Sequence, residues 1–153
     1  MNIFFVSNIS WSLFNFRKGI MSALKAKGYE VLCCASPDEY TTRLEDIGYK
    51  FIPVNIDRKG TNPLSDIRLI FQLYNIYKKY KPDLIFHNSI KPNVYGAIAA
   101  RLAGVRCVNT VAGLGYMFIS NKVYSWLGRL LYWIASALAK KTFFQNKYDM
   151  RFF

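Results

Sequence analysis

Acidic side chains are scarce in this chain. Nine Asp and Glu stand against 21 Lys and Arg in 153 residues, a formal net charge of +12. Histidine occurs once, as His87, and cysteine three times, as Cys33, Cys34 and Cys107. One histidine and an adjacent cysteine pair share no metal-ligand spacing, so no metal site is expected. An odd cysteine count with two neighbours is no disulfide framework either, and the three read as small core residues in a reducing cytosol. Neither GxGxxG nor GxxxxGK[ST] occurs, which removes the dinucleotide fingerprint and the P-loop nucleotide hydrolases. The opening MNIFFVSNIS has no basic start and no long apolar stretch, so it does not read as a secretory signal. Repeats, linkers and low-complexity tracts are also missing.

What is present points to one packed domain over residues 1–153. Hydrophobic residues make up 52% of the chain, which excludes disorder. Charge is distributed unevenly. Up to Ile76 there are nine basic and seven acidic residues; beyond it there are twelve and two. A basic half normally meets an anionic partner: nucleic acid, lipid head groups or a phosphorylated small molecule.

Short apolar runs alternate with amphipathic stretches. Strands are expected at Asn2–Ser7, Val31–Ala35, Lys50–Val54, Asp83–His87 and Arg106–Val111, with a sixth at Thr142–Gln145. Helical spacing covers Phe14–Gly28, Asp38–Ile47, Asn62–Lys81, Pro92–Leu102 and Lys122–Lys140. Strands alternating with helices imply parallel strands joined by right-handed crossovers. The expected fold is α/β, a doubly wound Rossmann-like parallel sheet.

Ligands of such sheets bind beyond the carboxyl ends of the strands. After the first strand, Asn8, Ser10 and Ser12 offer polar groups, and Trp11 either forms a platform or plugs the core. After the fourth, Pro92 fits a first helical turn, which would leave the N–H groups of Asn93, Val94 and Tyr95 directed outward beside the charge of Lys91. His87 at that strand end is a possible polar contact, with a hydrogen-bonded structural role as the alternative. After the fifth, Gly113 and Gly115 before Tyr116 permit φ > 0 and close approach to a ligand. No acid/base pair marks any of the three segments, so no catalytic residue is assigned.

In these segments the sequence resembles the amino-terminal domain of glycosyltransferase family 4 (GT4), of the GT-B fold. It is most similar to the bacterial subgroup acting on polyprenyl-diphosphate-linked sugars. The resemblance is carried by SNISWSLFNFRKGIMSALKAKGYEV (Ser7–Val31), IDRKGTNPLSDIRLI (Ile56–Ile70), IKPNVYGAIAARLAGV (Ile90–Val105) and GLGYMF (Gly113–Phe118). It implies the acceptor-binding half of a retaining enzyme that moves a sugar from a UDP-sugar to a lipid-linked glycan acceptor, usually without a metal. In relatives a second Rossmann-like half holds the nucleotide sugar through a paired-glutamate motif. FFQNKYDMRFF (Phe143–Phe153) resembles the segment before that half, so the resemblance implies a fragment or one half of a split enzyme. Many GT4 members carry a histidine after the fifth strand, where this chain reads Asn109-Thr110-Val111-Ala112-Gly113; His87 is no substitute for it. Lys91 and Asn93 suit an acceptor diphosphate, with Asn8, Ser10, Gly113, Gly115 and Tyr116 alongside.

Val123–Ala139 is apolar nearly all round apart from Arg129, too short and too charged at its centre to favour spanning a bilayer. Two readings stand: a helix buried between sheet and partner, or an interfacial helix with Trp126, Tyr132 and Trp133 at head-group level and Arg129 on anionic lipid. Arg17 and Lys18, beside Phe14 and Phe16, would extend the same face. The expected location is the cytoplasmic face of a membrane, held peripherally. Competing readings are a stand-alone acceptor subunit and a basic nucleic-acid-binding domain; the latter lacks any nucleic-acid motif, so no nucleic-acid partner is expected.

Overall fold

A computed structural model of the chain describes residues 1–58, 62–113 and 122–151, without the side chains of 122–125 and 127. Six strands form one parallel sheet: β1 (Asn2–Ile9), β2 (Glu30–Ser36), β3 (Lys50–Pro53), β4 (Leu84–Asn88), β5 (Cys107–Val111) and β6 (Lys141–Phe144). Their order is β3-β2-β1-β4-β5-β6, the doubly wound arrangement expected from the sequence. The helices are α1 (Ser10–Phe16), α2 (Lys18–Ala26), α3 (Tyr40–Asp46), α4 (Pro63–Tyr80), α5 (Ala97–Ala103), α6 (Lys122–Leu138) and α7 (Lys147–Met150), with a π-helical turn at Pro92–Gly96 leading into α5.

Side chains of β1 alternate between two cores, as the pleat requires. Phe4 and Val6 join Leu73, Tyr77, Ala97 and Tyr132 under α4, α5 and α6. Ile3 and Phe5 join Leu13, Met21 and Leu44 under α1, α2 and α3. Strands covered on both faces need no polar side, which explains their unbroken apolar character. All three cysteines are buried and free. Burial pushes the Cys33 and Cys107 thiols up to about 12, so they stay protonated and inert.

The first helix departs from expectation. It starts at Ser10, directly from β1, and breaks at Arg17, whose φ of −121° and ψ of −11° leave the helical region. Polar residues that read as a loop are satisfied from the β2–α3 connection instead: the Trp11 N–H donates to Asp38 Oδ2 (2.9 Å), and Ser10 Oγ bonds Thr41 Oγ1 (2.8 Å). Asp38 thereby serves as the missing cap of α1. The start of α4 is as its sequence predicts: Asn62 Oδ1 accepts from the Leu64 N–H at 3.0 Å and Pro63 occupies the first turn. It ends at Lys81, left-handed at φ 45°, before Pro82.

Two helical glycines behave oppositely. A Cβ on Gly96 would stand 2.6 Å from His87 Nε2, whereas one on Gly19 meets nothing within 4 Å. Gly96→Ala is therefore expected to destabilise by about 1–3 kcal/mol through overpacking, and Gly19→Ala to stabilise by about 0.5–1 kcal/mol through helix propensity. Urea unfolding of the two variants checks the opposite signs.

Candidate functional site

Strand order reverses between β1 and β4, so the crevice of this fold opens where those two strands end. Ser7 and Ser89 meet there, hydroxyl to hydroxyl, at 3.1 Å. Asn88 Nδ2 donates to the Phe86 carbonyl at 3.2 Å. Ser89 holds φ at 84°, a left-handed conformation costing an L-residue about 1–2 kcal/mol. It turns the chain abruptly from β4 into helical backbone, which starts at Ile90.

That early start corrects the expected anion cradle. The Asn93 N–H is not free, because it donates to the Ser89 carbonyl at 3.0 Å. Lys91 is not a lone cation: its Nζ donates to Asp66 Oδ1 at 2.5 Å, and both side chains are nearly buried. The Tyr95 hydroxyl donates to Asp66 Oδ2 at 2.7 Å. Asp66 lies in the first turn of α4, so this carboxylate ties α4 to the segment after β4. Burial first, then the hydrogen bond to Asp66, push the Tyr95 hydroxyl well above its ordinary pKa, and it remains a donor.

Behind the ion pair lies a second polar cluster. Asn109 on β5 donates from Nδ2 to the carbonyls of Asn93 and Ala135, both at 3.2 Å. Its Oδ1 therefore faces His87 Nδ1 at 3.0 Å, which fixes the proton on Nδ1. Nε2 is left to accept from the Tyr77 hydroxyl at 3.0 Å. His87 is wholly buried and burial lowers its pKa to about 4. The possible polar contact is thus a neutral structural residue closed off from the crevice. Asn93 faces inward too, donating from Nδ2 to the Thr110 carbonyl at 2.9 Å.

The structure puts Lys91 in the ion-pair cluster with Asp66 and Tyr95, Asn93 and His87 together in the cluster around Asn109, and Ser10 in a third, around Asp38 and Thr41. Asn8 sits at the end of β1 with its Oδ1 unpartnered among the described residues. Gly113 is exposed, a Cβ on it would meet nothing within 4 Å among the described residues, and its own φ lies outside the left-handed range that the two glycines would permit. Gly115 and Tyr116 lie outside the described residues, as do Met117 and Phe118. Trp11 does not plug the core: it is 40% exposed and packs edge-on against Phe16. Asp66, Tyr95, Tyr77, Asn109 and Asp38 were missed from sequence. Asp66 carried one usable signal, being the only acid between Arg58 and Pro82.

On α6, Trp126, Arg129 and Trp133 are exposed, whereas Tyr132, placed with them at head-group level in the interfacial reading, points into the core. Arg17 and Lys18 cannot extend that face, since α1 and α2 pack on the opposite side of the sheet. Among the described residues no helix is long and apolar enough to cross a membrane.

The glycosyl transferase 4-like family matches residues 2–146. The chain belongs to that family. It is 31% identical to an N,N'-diacetylbacillosaminyl-diphospho-undecaprenol alpha-1,3-N-acetylgalactosaminyltransferase of Campylobacter jejuni, over 99% of this chain and 42% of that protein. It is 35% identical to a UDP-Gal:alpha-D-GlcNAc-diphosphoundecaprenol alpha-1,3-galactosyltransferase of Escherichia coli, over 63% of this chain and 26% of that protein. The chain therefore spans less than half the length of these relatives. Among solved structures, the UDP-GlcNAc 2-epimerase of Methanocaldococcus jannaschii superposes with a TM-score of 0.67 at 12% identity, over 96% of this chain and 40% of that one. That likeness fixes the family member's fold alone.

The buried histidine and the ion pair generate separate expectations. With the His87 pKa depressed, the unfolded chain binds the extra proton, so stability is full above about pH 6.5 and falls toward pH 4 by about 3 kcal/mol. The imidazole C–H resonances of this one histidine in proton NMR should titrate near pH 4 in the folded chain, and a midpoint near 6.5 would contradict a closed-off ring. Asp66→Asn should cost about 3 kcal/mol by stranding the Lys91 charge. Combining it with Lys91→Met should recover much of that loss, which a double-mutant cycle of urea unfolding measures.

Proposed function

We propose that the chain is the acceptor-side half of a retaining glycosyltransferase that moves a sugar from a UDP-sugar to a polyprenyl-diphosphate-linked glycan. The observation that carries this reading is the match, over almost all of the chain, to a Campylobacter jejuni transferase named for a diphospho-undecaprenol acceptor. The Escherichia coli relative is named for an acceptor of the same kind.

The crevice chemistry supports this role. Lys91 is held rigidly beside the β1/β4 opening, and a diphosphate reaching it would share or replace the Asp66 carboxylate as its partner. Asn8 at the end of β1 has a buried amide oxygen with no partner among the described residues, a polar group that a sugar hydroxyl reaching that depth would satisfy. Asp38 is engaged in capping α1 and Asp66 in the ion pair. On this reading a second, donor-binding half, in the same polypeptide or a separate subunit, holds the UDP-sugar. The acceptor is membrane-borne, and the exposed Trp126, Arg129 and Trp133 of α6 suit peripheral contact with anionic lipid on the cytoplasmic face.

Steady-state kinetics of the full-length enzyme tests the assignment. Lys91→Met should raise the KM for the lipid-linked acceptor roughly ten- to a hundredfold, the worth of a charge-assisted hydrogen bond. The KM for the UDP-sugar should stay nearly unchanged. Unaltered acceptor kinetics, or a defect confined to the nucleotide sugar, would remove Lys91 from the acceptor site.

A further inference from the structure

Helix α1 is fastened at both ends to the carboxyl edge of the sheet. At its start the Trp11 N–H donates to Asp38 and Ser10 bonds Thr41, both beyond β2. Just past its end, Arg17 donates from its two terminal nitrogens to the Gln145 amide oxygen at 3.1 and 3.3 Å, with that amide turned to accept. The Gln145 N–H in turn donates to the carbonyl of Val111, the last residue of β5. β1 and β4 lie between β2 and β5 in the sheet, so α1 borders the opening where strand order reverses.

The inner side of α1 belongs to the core, where Leu13 is fully buried. Its outer side holds two large aromatic rings in the open. Trp11 is 40% and Phe16 62% exposed, and the rings meet edge-on at 5.1 Å and 88°. Asn15 is exposed one turn after Trp11 and donates from Nδ2 to the Trp11 carbonyl at 2.9 Å. That bond leaves its amide oxygen and second N–H for a ligand. Trp11 is thus held by its N–H, its carbonyl and its ring before anything binds, which lowers the ordering cost of binding.

Composition selects the occupant. The stretch Ser10–Phe16 (SWSLFNF) carries no charged side chain. The cations that follow it are already placed, Arg17 on Gln145 and Lys18 4.6 Å over the Phe14 ring. An anionic group would therefore meet no free charge on α1, and an acyl chain would leave the Asn15 amide facing hydrocarbon at a cost. A pyranose ring suits both kinds of group, with C–H groups on its faces for an aromatic ring and hydroxyls on its edge for an amide.

We infer that Trp11, with Phe16 and Asn15, forms a subsite for a pyranose ring of the acceptor glycan, Trp11 being the stacking platform. The inference rests on the acceptor-side reading above and adds the group that senses the sugar. Lys91 follows β4 and is tied to α4 on one face of the sheet, whereas α1 packs on the other. The two subsites flank the β1/β4 opening. Lys91 meets the diphosphate common to every such lipid, and Trp11 reads whether a sugar ring is attached to it.

Isothermal titration calorimetry of the chain with two soluble probes tests this: farnesyl diphosphate, and the same lipid diphosphate carrying N-acetylglucosamine. The glycosylated probe is expected to bind about tenfold more tightly. Trp11→Ala should remove that preference and leave farnesyl diphosphate binding unchanged. Trp11→Phe, which restores a ring, should return most of it. If Trp11→Ala loses its circular dichroism, Trp11→Leu carries the comparison, keeping apolar volume without an aromatic face. Wild-type chain that binds neither probe would overturn the acceptor reading and the subsite together. Equal binding of the two probes, or a preference that survives Trp11→Ala, would overturn the subsite and leave the acceptor reading standing. A folded Trp11 variant that loses both probes would make the ring a structural support and overturn the subsite. Self-association that Trp11→Ala abolishes, with equal affinity for the probes, would assign this face to a second copy and overturn the proposal.

Discussion

Each polar atom of the Asn109 side chain is committed, and the carboxyl edge of the sheet is organised around those commitments. Its Nδ2 donates to the carbonyl of Asn93 in the π-turn and to that of Ala135 in α6, while its Oδ1 accepts from the Nδ1–H of His87 on the neighbouring strand. One amide thus joins β5, β4, the π-turn and α6 in a place water cannot reach. Unmet polar groups at such a depth cost about 1–3 kcal/mol each, so the arrangement is held as a unit. The ion pair of Lys91 with Asp66 is the outer layer of the same construction, since the π-turn carries both Asn93 and Tyr95.

The fold was legible because it is written in local periodicity. Unbroken apolar runs such as Ile3–Val6 and the Asn62-Pro63 helix start need no tertiary knowledge to be read. The site was less legible, and the reason is distance along the chain. Asp66 pairs with Lys91 across 25 positions and His87 with Asn109 across 22, and no spacing rule links such partners. Polar residues at Asn8–Ser12 read as a loop because the groups that satisfy Ser10 and the Trp11 N–H, Thr41 and Asp38, belong to a different connection. Tyr132 was placed with its two tryptophan neighbours because a helix apolar nearly all round gives no phase; only packing decides which side faces inward.

A fold like this one occurs in an epimerase, so architecture alone does not choose the chemistry. What distinguishes this chain is how it disposes of charge. Its carboxylates near the crevice are spent on holding the protein together, and its cations beyond Ile76 outnumber acids sixfold. Those cations are available to an anionic ligand, which is what the acceptor-side role proposed above calls on.

The pairing of β1 with β4 has a consequence for how the chain comes to be folded. β1 finds β2 early, with Asn2 opposite Glu30, but its other neighbour arrives much later: the Asn2 N–H meets the Asp83 carboxylate 81 positions away. Contacts of such separation slow folding. During synthesis at about 5–20 residues per second, the central strand waits several seconds with one hydrogen-bonding edge open. That edge is bordered by Phe4, Phe5 and Val6, which suit pairing with any extended apolar strand. The nascent chain is thus most prone to misassociation in the interval before β4 emerges, and a chaperone that covers β1 would act there.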